Sequence, residues 1–329
     1  MIEPGSPEEL AVCLAEAATP RHSIHIGGNF TKDRWIGPAV DADVTISTRR
    51  MNRILLYEPA DLTVSVEAGI RYAELNKVLA GHGQMIPLDP PWAEMATIGG
   101  VLAANSSGPR RRLYGTARDM VIGMTFATLE GKLIQTGGMV VKNVAGLDMG
   151  KLLIGSFGTL AAIAVANFRV HPVPAGTRTF VWRFDRVVDA IAARDGVLKS
   201  QLQPAAIDLL KEDGEYRLLV QAGGSPAVLD RYSRELAGAR VVEGSEEEEI
   251  WRRIREFIPE NGVVLEIPCK LTAMGSLLES APGPAVARAG SGVVYVAQAS
   301  GLLGKPEACP TSQKIKAMMD PYGLLNRSR

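Results

Sequence analysis

Apolar and polar positions alternate with a period of two in residues 62–69, "LTVSVEAG", where Val64, Val66 and Ala68 are separated by Ser65 and Glu67. That is the pattern of a half-buried β-strand, and "DVTISTRR" at residues 43–50 reads the same way. The period then changes. In "RYAELNKVLAGHG", residues 71–83, Tyr72, Leu75, Val78 and Leu79 recur at helical spacing, with Gly81 and Gly83 placed to end the helix. "MIPLDPPW", residues 85–92, is expected to be extended, because a residue before proline is pushed out of the helical region. "TFATLEGKLIQTGG", residues 125–138, reads as a hairpin closed by Glu-Gly-Lys. Residues 152–168, "LLIGSFGTLAAIAVANF", carry no charge, yet Gly155, Ser156, Gly158, Thr159 and Asn167 interrupt them. A buried turn followed by a core strand accounts for these letters better than a membrane helix.

Two prolines and a glycine in "RVHPVPAG", residues 169–176, mark a domain boundary. Beyond it the pattern predicts a strand in "TRTFVWRF", a helix in "DRVVDAIAARDGVLKSQ", strands in "AAIDLL" and "YRLLVQAG", a helix in "PAVLDRYSRELAG" and a strand in "ARVVEG". The order βαββαβ is that of a ferredoxin-like module, so the chain is of the α+β class. "EEEEIWRRIREF" follows as an exposed helix, acidic at its start and basic later, as the helix dipole favours. "GVVLEIPCK" and "GVVYVAQAS" read as strands of a second, shorter unit.

Composition narrows the chemistry. The 329 residues are 46% hydrophobic, enough for about two domain cores. The 36 basic and 36 acidic residues cancel, leaving no electrostatic footprint for nucleic acid, so an anionic ligand must be held locally. Cys13, Cys269 and Cys309 are far apart and form no Cys-x-x-Cys pair, so neither iron–sulfur nor zinc ligation by this chain is expected and no metal site is assigned. The opening "MIEPGSPEEL" is acidic and proline-containing, unlike a secretory signal, and no transmembrane segment is expected. A cytoplasmic location follows as the expectation.

Three glycine-rich segments stand in the first half: "HIGGNFTKDRWIG" at 25–37, "ATIGGVLAANSSGPRRRLYG" at 96–115 and "KNVAGLDMGKLLIGSFGTL" at 142–160. None is a Walker A loop or a GxGxxG fingerprint. Backbone amides in such turns form nests for anion oxygens. On this reading Gly27, Gly28 and Asn29 wrap one phosphate, and Thr97, ahead of Ile98, Gly99 and Gly100, caps a helix whose N-terminus favours the same anion. Ser107 and Gly108 let the chain approach a flat ring.

Together with "VSVEAGIRYAELNKVLAGHG" and the ending "QKIKAMMDPYGLLN", these segments resemble the PCMH-type FAD-binding domain of the vanillyl-alcohol-oxidase superfamily. "HIGGNFTKDRWIG", "SGPRRRLYG" and "KNVAGLD" are similar, more narrowly, to the FAD-binding subunit of bacterial glycolate oxidases. The resemblance implies an FAD-binding domain over residues 1–172, made of two α/β subdomains divided near residue 50. It implies a shortened ferredoxin-like cap over 173–303 and a segment 304–329 returning to the FAD domain. It makes Gly27, Gly28, Asn29 and Thr31 the first pyrophosphate loop. Thr97, Ile98, Gly99, Gly100, Asn105, Ser107 and Gly108 run along the pyrophosphate, ribityl chain and isoalloxazine, followed by Arg112, Tyr114, Gly115 and Asp119. Gly155, Ser156, Gly158, Thr159, Leu160 and Ile163 enclose the adenosine end, and Asn143 joins the cofactor-binding set. Lys142, Asp148 and Lys151 are assigned either to the cofactor or to a local polar network.

Departures from the pattern matter. Members with covalent flavin place a histidine after the first paired glycines; here Asn29 stands there, so the FAD is expected to be non-covalent. Oxidising a 2-hydroxy acid requires a base for the hydroxyl proton, a cation for the carboxylate and a hydride acceptor. The family's cap-domain histidine is missing, since His22, His25, His82 and His171 all precede the second domain, and the catalytic residue stays unassigned. Arg110, Arg111 and Arg112 suit a carboxylate or phosphate clamp, with at least two of them expected to be plain solvent-facing charges. The resemblance thus implies an FAD-dependent oxidoreductase subunit of a glycolate oxidase-like complex, acting on glycolate or a similar small 2-hydroxy acid. A paralogous FAD-containing subunit would bring the base, an iron–sulfur subunit would accept electrons, and any membrane association would run through these partners. A self-sufficient dehydrogenase with a tyrosine or lysine base, and a non-catalytic scaffold, are the alternatives.

Overall fold

The computed structural model describes residues 1–33, 41–139, 148–257, 262–299 and 310–326. It divides into two compact units, the first made of Met1–Ser107, Thr116–Val173 and Leu303–Arg329, the second of Gly108–Gly115 and Pro174–Leu302.

In the first unit, helix α1 (Pro7–Ala18) begins where the Ser6 side chain accepts the Glu9 amide, with proline at the first helical position. It buries Leu10, Ala11, Leu14 and Ala17 in one core cluster with Ile24 and Ile46 and with Ala127, Ala162 and Ala164 of the neighbouring antiparallel sheet; Ile24 and Ile46 lie on strands β1 (Ile24–Gly27) and β2 (Val44–Ser47), which pair in parallel. Leu325, near the chain's end, bridges Ile24. A five-stranded antiparallel sheet follows, with β3 (Ile54–Glu58), β4 (Thr63–Glu67), β6 (Val121–Ala127), β7 (Leu133–Gly137) and β8 (Ala162–Arg169) in the order β3-β4-β8-β6-β7. β8 lies at its centre and is buried along all but its last residue, which explains its nearly unbroken apolar run. No helix among the described residues is long and apolar enough to cross a membrane. The β6–β7 hairpin forms as expected, with the Thr128 amide donating to Lys132 O at 3.0 Å and Gly131 at φ +73°.

Helix α2 spans Tyr72–Ala80. Past it, β5 (Gln84–Met85) pairs with β9 (His171–Pro172). The extended reading of "MIPLDPPW" fails beyond this point: Asp89 and Trp92 take φ values of +49° and +53°. The cause is tertiary. The Tyr72 hydroxyl donates to Ile86 O and accepts the Asp89 amide at 3.2 Å, so the loop is folded back onto α2. Helix α3 (Ile98–Ala103) then carries the second glycine pair.

The second unit holds one seven-stranded antiparallel sheet. β10 (Gly176–Phe184), α4 (Val187–Lys199), β11 (Ala206–Glu212), β12 (Glu215–Gly224), α5 (Pro226–Glu235) and β13 (Arg240–Val242) form the expected βαββαβ order. α6 (Gly244–Arg255) follows as expected, and Glu247 fastens it to the sheet by accepting bonds from Thr177, Thr179 and Gln221. β14 (Gly262–Pro268), β15 (Ala285–Arg288) and β16 (Val293–Ala299) do not stand apart as a second unit. They extend the same sheet, because β15 pairs with β11, giving the order β13-β10-β12-β11-β15-β16-β14. The four-residue β15 is too short to show a period in sequence. Helices α4, α5 and α7 (Met274–Ser280) bury one face of the sheet, and α6 packs Trp251 and Ile254 on the other.

Candidate functional site

The three glycine-rich segments are separated by about seventy and about fifty residues in the chain, yet in the first unit they line one open cleft. β1 and the turn after it contribute Gly27, Gly28, Phe30, Thr31, Lys32 and Asp33; the start of α3 contributes Thr97, Gly99 and Gly100. Gly158, Ile163 and Asn326 come from the third segment, the start of β8 and the chain's end.

Close approach explains the glycines. A methyl group added at Gly28 would lie 2.6 Å from Thr97 Cγ2, and one at Gly99 would lie 2.9 Å from Ala68 Cβ. The first segment is therefore pressed onto the second, and the second onto the residues leaving β4. Thr97 caps α3 as expected, its hydroxyl accepting the Gly100 amide at 3.3 Å. One expectation is corrected here. The Ile98 and Gly99 amides donate to Ile70 O at 2.9 Å and Ala68 O at 2.7 Å, so these donors are spent inside the protein. An anion in the cleft cannot rely on them, because each amide has one hydrogen to give.

Asn326 ties the first segment to the third. Its Nδ2 donates to Ile26 O at 3.0 Å and Phe157 O at 2.7 Å, and its Oδ1 accepts the Ile26 amide at 2.6 Å. The local sequence pattern gives Asn326 no role of its own, although it ends the "QKIKAMMDPYGLLN" segment. Lys316 supports the same junction by donating to Thr159 O at 2.6 Å, and pairs with Asp320.

Among the expected site residues, Gly27, Gly28, Thr31, Thr97, Gly99, Gly100, Gly158 and Ile163 line the cleft. The others are not part of this lining. Asn29 donates to Met95 O at 2.8 Å, Ile98 is wholly buried in the core, and Leu160 is buried. Thr159 donates to Ser156 O at 2.7 Å. Asn105 (φ +46°) follows α3, and Gly155 (φ +89°) faces its Cβ. Asp119 closes a capping box with Thr116 on the short helix Ala117–Met120, and Asp148 caps Met149–Leu153, pairing with Lys151 at 3.4 Å. Gly108, Arg112, Tyr114 and Gly115 belong to the second unit, where Arg112 donates to Pro204 O at 3.2 Å and burial lowers its pKa. Lys142 and Asn143 lie outside the described residues. The buried oxygens Asn105 Oδ1, Ser106 Oγ, Ser107 Oγ and Ser156 Oγ have no hydrogen-bond partner among the described residues. Buried polar atoms are normally paired, so these fit a polar ligand.

Lys32 was missed altogether. It is buried, donates from Nζ to Pro91 O at 2.8 Å and lies 5.4 Å from the centre of the Trp92 ring. Burial lowers its pKa to about 7. Nothing in the local pattern marks it, since a lysine in a glycine-rich turn is normally solvated.

The profile of the family described as "FAD binding domain" matches residues 1–137. The chain is 31% identical over 242 residues to glycolate oxidase subunit GlcE of Escherichia coli (strain K12), covering 73% of this chain and 66% of that protein. It is 28% identical to glycolate oxidase subunit GlcD of Bacillus subtilis (strain 168), covering 64% of this chain and 45% of that one. With mitochondrial D-lactate dehydrogenase [cytochrome] 1 of Saccharomyces cerevisiae (strain ATCC 204508 / S288c) it shares 32% over 57% of this chain and 32% of the other. The chain thus spans about two thirds of the first relative and less than half of the other two. A solved alkyldihydroxyacetonephosphate synthase superposes with a TM-score of 0.77 at 19% identity, over 99% of this chain and 76% of that one. The Bermuda grass isoallergen BG60 gives 0.65 at 14%, over 98% and 76%. At such identities the likeness is one of fold, the α+β architecture of PCMH-type FAD-binding oxidases.

Proposed function

The chain belongs to the FAD-binding domain family, with FAD as its cofactor, and from that premise we propose that it is a flavoprotein subunit of a glycolate oxidase-like complex. It takes part in oxidising glycolate or a similar 2-hydroxy acid. The observation that carries the reading is the convergence of three remote glycine segments on one cleft.

The residues present fit FAD. Gly27, Gly28 and Thr31 would hold the diphosphate region, the bare backbone of Gly99 and Gly100 beside Thr97 would let it come close, and Gly158 and Ile163 would hold the adenosine end. Asn105, Ser107 and Ser156 would meet the cofactor's polar edges, where their unpartnered oxygens gain hydrogen bonds. The cofactor, when bound without a covalent link, supplies a hydride acceptor. The chain's own part is to orient it: the apolar wall of Ala103, Ala104, Phe157, Ala161 and Ala162 keeps water from one side of the cleft.

Substrate chemistry needs a base, and the histidines do not supply one in the second unit. His25 pairs with Asp33 at 3.3 Å, His82 packs edge-on against Tyr57, and burial lowers the pKa of His171 in β9. This distribution favours a paralogous subunit as the source of the base; an iron–sulfur subunit is proposed as the electron acceptor. One observation favours a self-sufficient enzyme instead. On adjacent strands, β11, β15, β16 and β14 carry Asp208, Arg288, Tyr295 and Glu266, with the Arg288 guanidinium 5.1 Å from the Tyr295 ring centre. Desolvation by the surrounding sheet raises the pKa of Glu266, although the residue keeps an exposed side, which brings its carboxylate closer to the range useful to a general base.

A visible absorbance spectrum of the purified chain tests for flavin. Anaerobic mixing with glycolate or D-lactate then separates the two enzymatic readings. Bleaching that requires the partner chains supports the complex; bleaching by this chain alone supports the second reading; a colourless chain that takes up no FAD refutes both.

A further inference from the structure

The second unit carries a pocket that the proposed function leaves unused. It opens beside α6, on the sheet face against which Trp251 and Ile254 pack. Strand alternation brings Val181 of β10, Leu219 of β12 and Leu210 of β11 to this one face, and Ile250, Ile254 and Phe257 close the side. Leu219 and Ile254 are buried, whereas Val181, Leu210, Ile250 and Phe257 are only partly so. The floor therefore leaves apolar surface open across three strands, a width of about 10 Å at the usual strand spacing.

The rim is basic. Arg183, Arg217, Arg240 and Arg253 line the same pocket, with Glu212 as the one carboxylate among the described lining residues. The register sets Arg183 of β10 directly opposite Arg217 of β12, an arrangement of like charges that costs stability unless anions answer it. Two do so in part. Glu215 lies 3.5 Å from Arg183 and 3.9 Å from Arg217, while Glu212 accepts a bond from Arg217 and lies 3.8 Å from Arg253. Three guanidinium groups thus share two carboxylates, and Arg217 Nε has no hydrogen-bond partner among the described residues. Arg240 pairs with Glu246. A carboxylate arriving at this rim meets guanidinium forks that suit it, and an apolar tail attached to it can lie on the floor.

We propose that this pocket binds a small monocarboxylate with an apolar tail, of the medium-chain fatty acid class, its head held by Arg183 and Arg217 and its tail laid over Val181, Leu210 and Ile250. Head and tail act together here: an anion without a tail leaves the floor wet, and a tail without a charge leaves the arginines crowded. The site uses residues of the second unit alone and is independent of the cofactor reading.

The test is isothermal titration calorimetry of the full-length chain with sodium octanoate below its micelle-forming concentration, against acetate and octanol as head-only and tail-only controls. Octanoate should bind saturably at one site, about tenfold or more tighter than either control, with an affinity that falls as salt is added. Arg217→Gln should weaken it about tenfold and Arg183→Gln severalfold. Arg183 is 65% exposed, so its replacement keeps the test open should Arg217→Gln fold poorly in urea denaturation. Arg231→Gln, on α5 against the opposite face of the sheet, should bind as wild type does. The arginine variants also separate this pocket from the first unit's cleft, because octanoate bound there would not respond to them. Absence of saturable octanoate binding overturns the proposal, as does octanol binding as tightly as octanoate, or wild-type affinity in either Arg183→Gln or Arg217→Gln.

Discussion

Replacing Gly28 by alanine tests whether the first and second glycine segments meet as described. The new methyl would lie 2.6 Å from Thr97 Cγ2 and 2.8 Å from Thr97 Cβ, closer than carbon atoms pack. Thr97 cannot yield freely, because its hydroxyl caps α3 through the Gly100 amide at 3.3 Å and its side chain is buried. Forcing an extra methyl into packed surroundings costs about 1–3 kcal/mol. Loss of the cap adds about 1 kcal/mol. Gly28→Ala should therefore destabilise the chain by about 2–4 kcal/mol in urea denaturation and lower its FAD content on purification. Gly138→Ala serves as the control, since a methyl there meets nothing within 4 Å and should change stability by less than about 0.5 kcal/mol. Adding Thr97→Ala to Gly28→Ala removes most of what the methyl meets, so the double variant should be less destabilised than the two single changes predict together. If Gly28→Ala unfolds at the same urea concentration as Gly138→Ala, the two segments are not in contact and the cleft as drawn is wrong.

Three further outcomes follow from the same structure. Lys32 loses its proton near pH 7 when folded and at its ordinary 10.5 when unfolded, so the unfolded chain binds more protons between these values and flavin-free stability should rise with pH across that window, by at most about 5 kcal/mol. Lys32→Met should remove this rise and leave the flavin-free chain a few kcal/mol more stable at pH 6; parallel urea midpoints for both chains at pH 6 and pH 9 would contradict this. Asn326→Ala removes three hydrogen bonds to Ile26 and Phe157 and leaves their backbone groups unpaired, so a loss of about 2–4 kcal/mol and faster proteolysis of the C-terminal helix Pro310–Met319 are expected. Gly196→Ala, inside α4 with open space around the added methyl, should raise stability by about 0.5–1 kcal/mol in thermal or urea unfolding.

Periodicity alone located β4, α2, the β6–β7 hairpin and the βαββαβ order of the second unit, because each is dictated by contacts between residues close in the chain. Glycine spacing likewise pointed to the cleft, since bare backbone at three places is a local demand for close approach. The rest depended on partners remote in sequence. Asn326 bonds to Ile26 across 300 residues, and the turn at Asp89 is imposed by the Tyr72 hydroxyl rather than by the prolines beside it. β15 joins the second unit's strands into one sheet by pairing with β11, a choice its four residues do not encode. The amides at the head of α3 read as open donors until the residues after β4 are seen to occupy them. Lys32 carries the same lesson in electrostatics: a lysine's identity is a letter in the chain, but its charge near neutral pH depends on how much protein has folded around it.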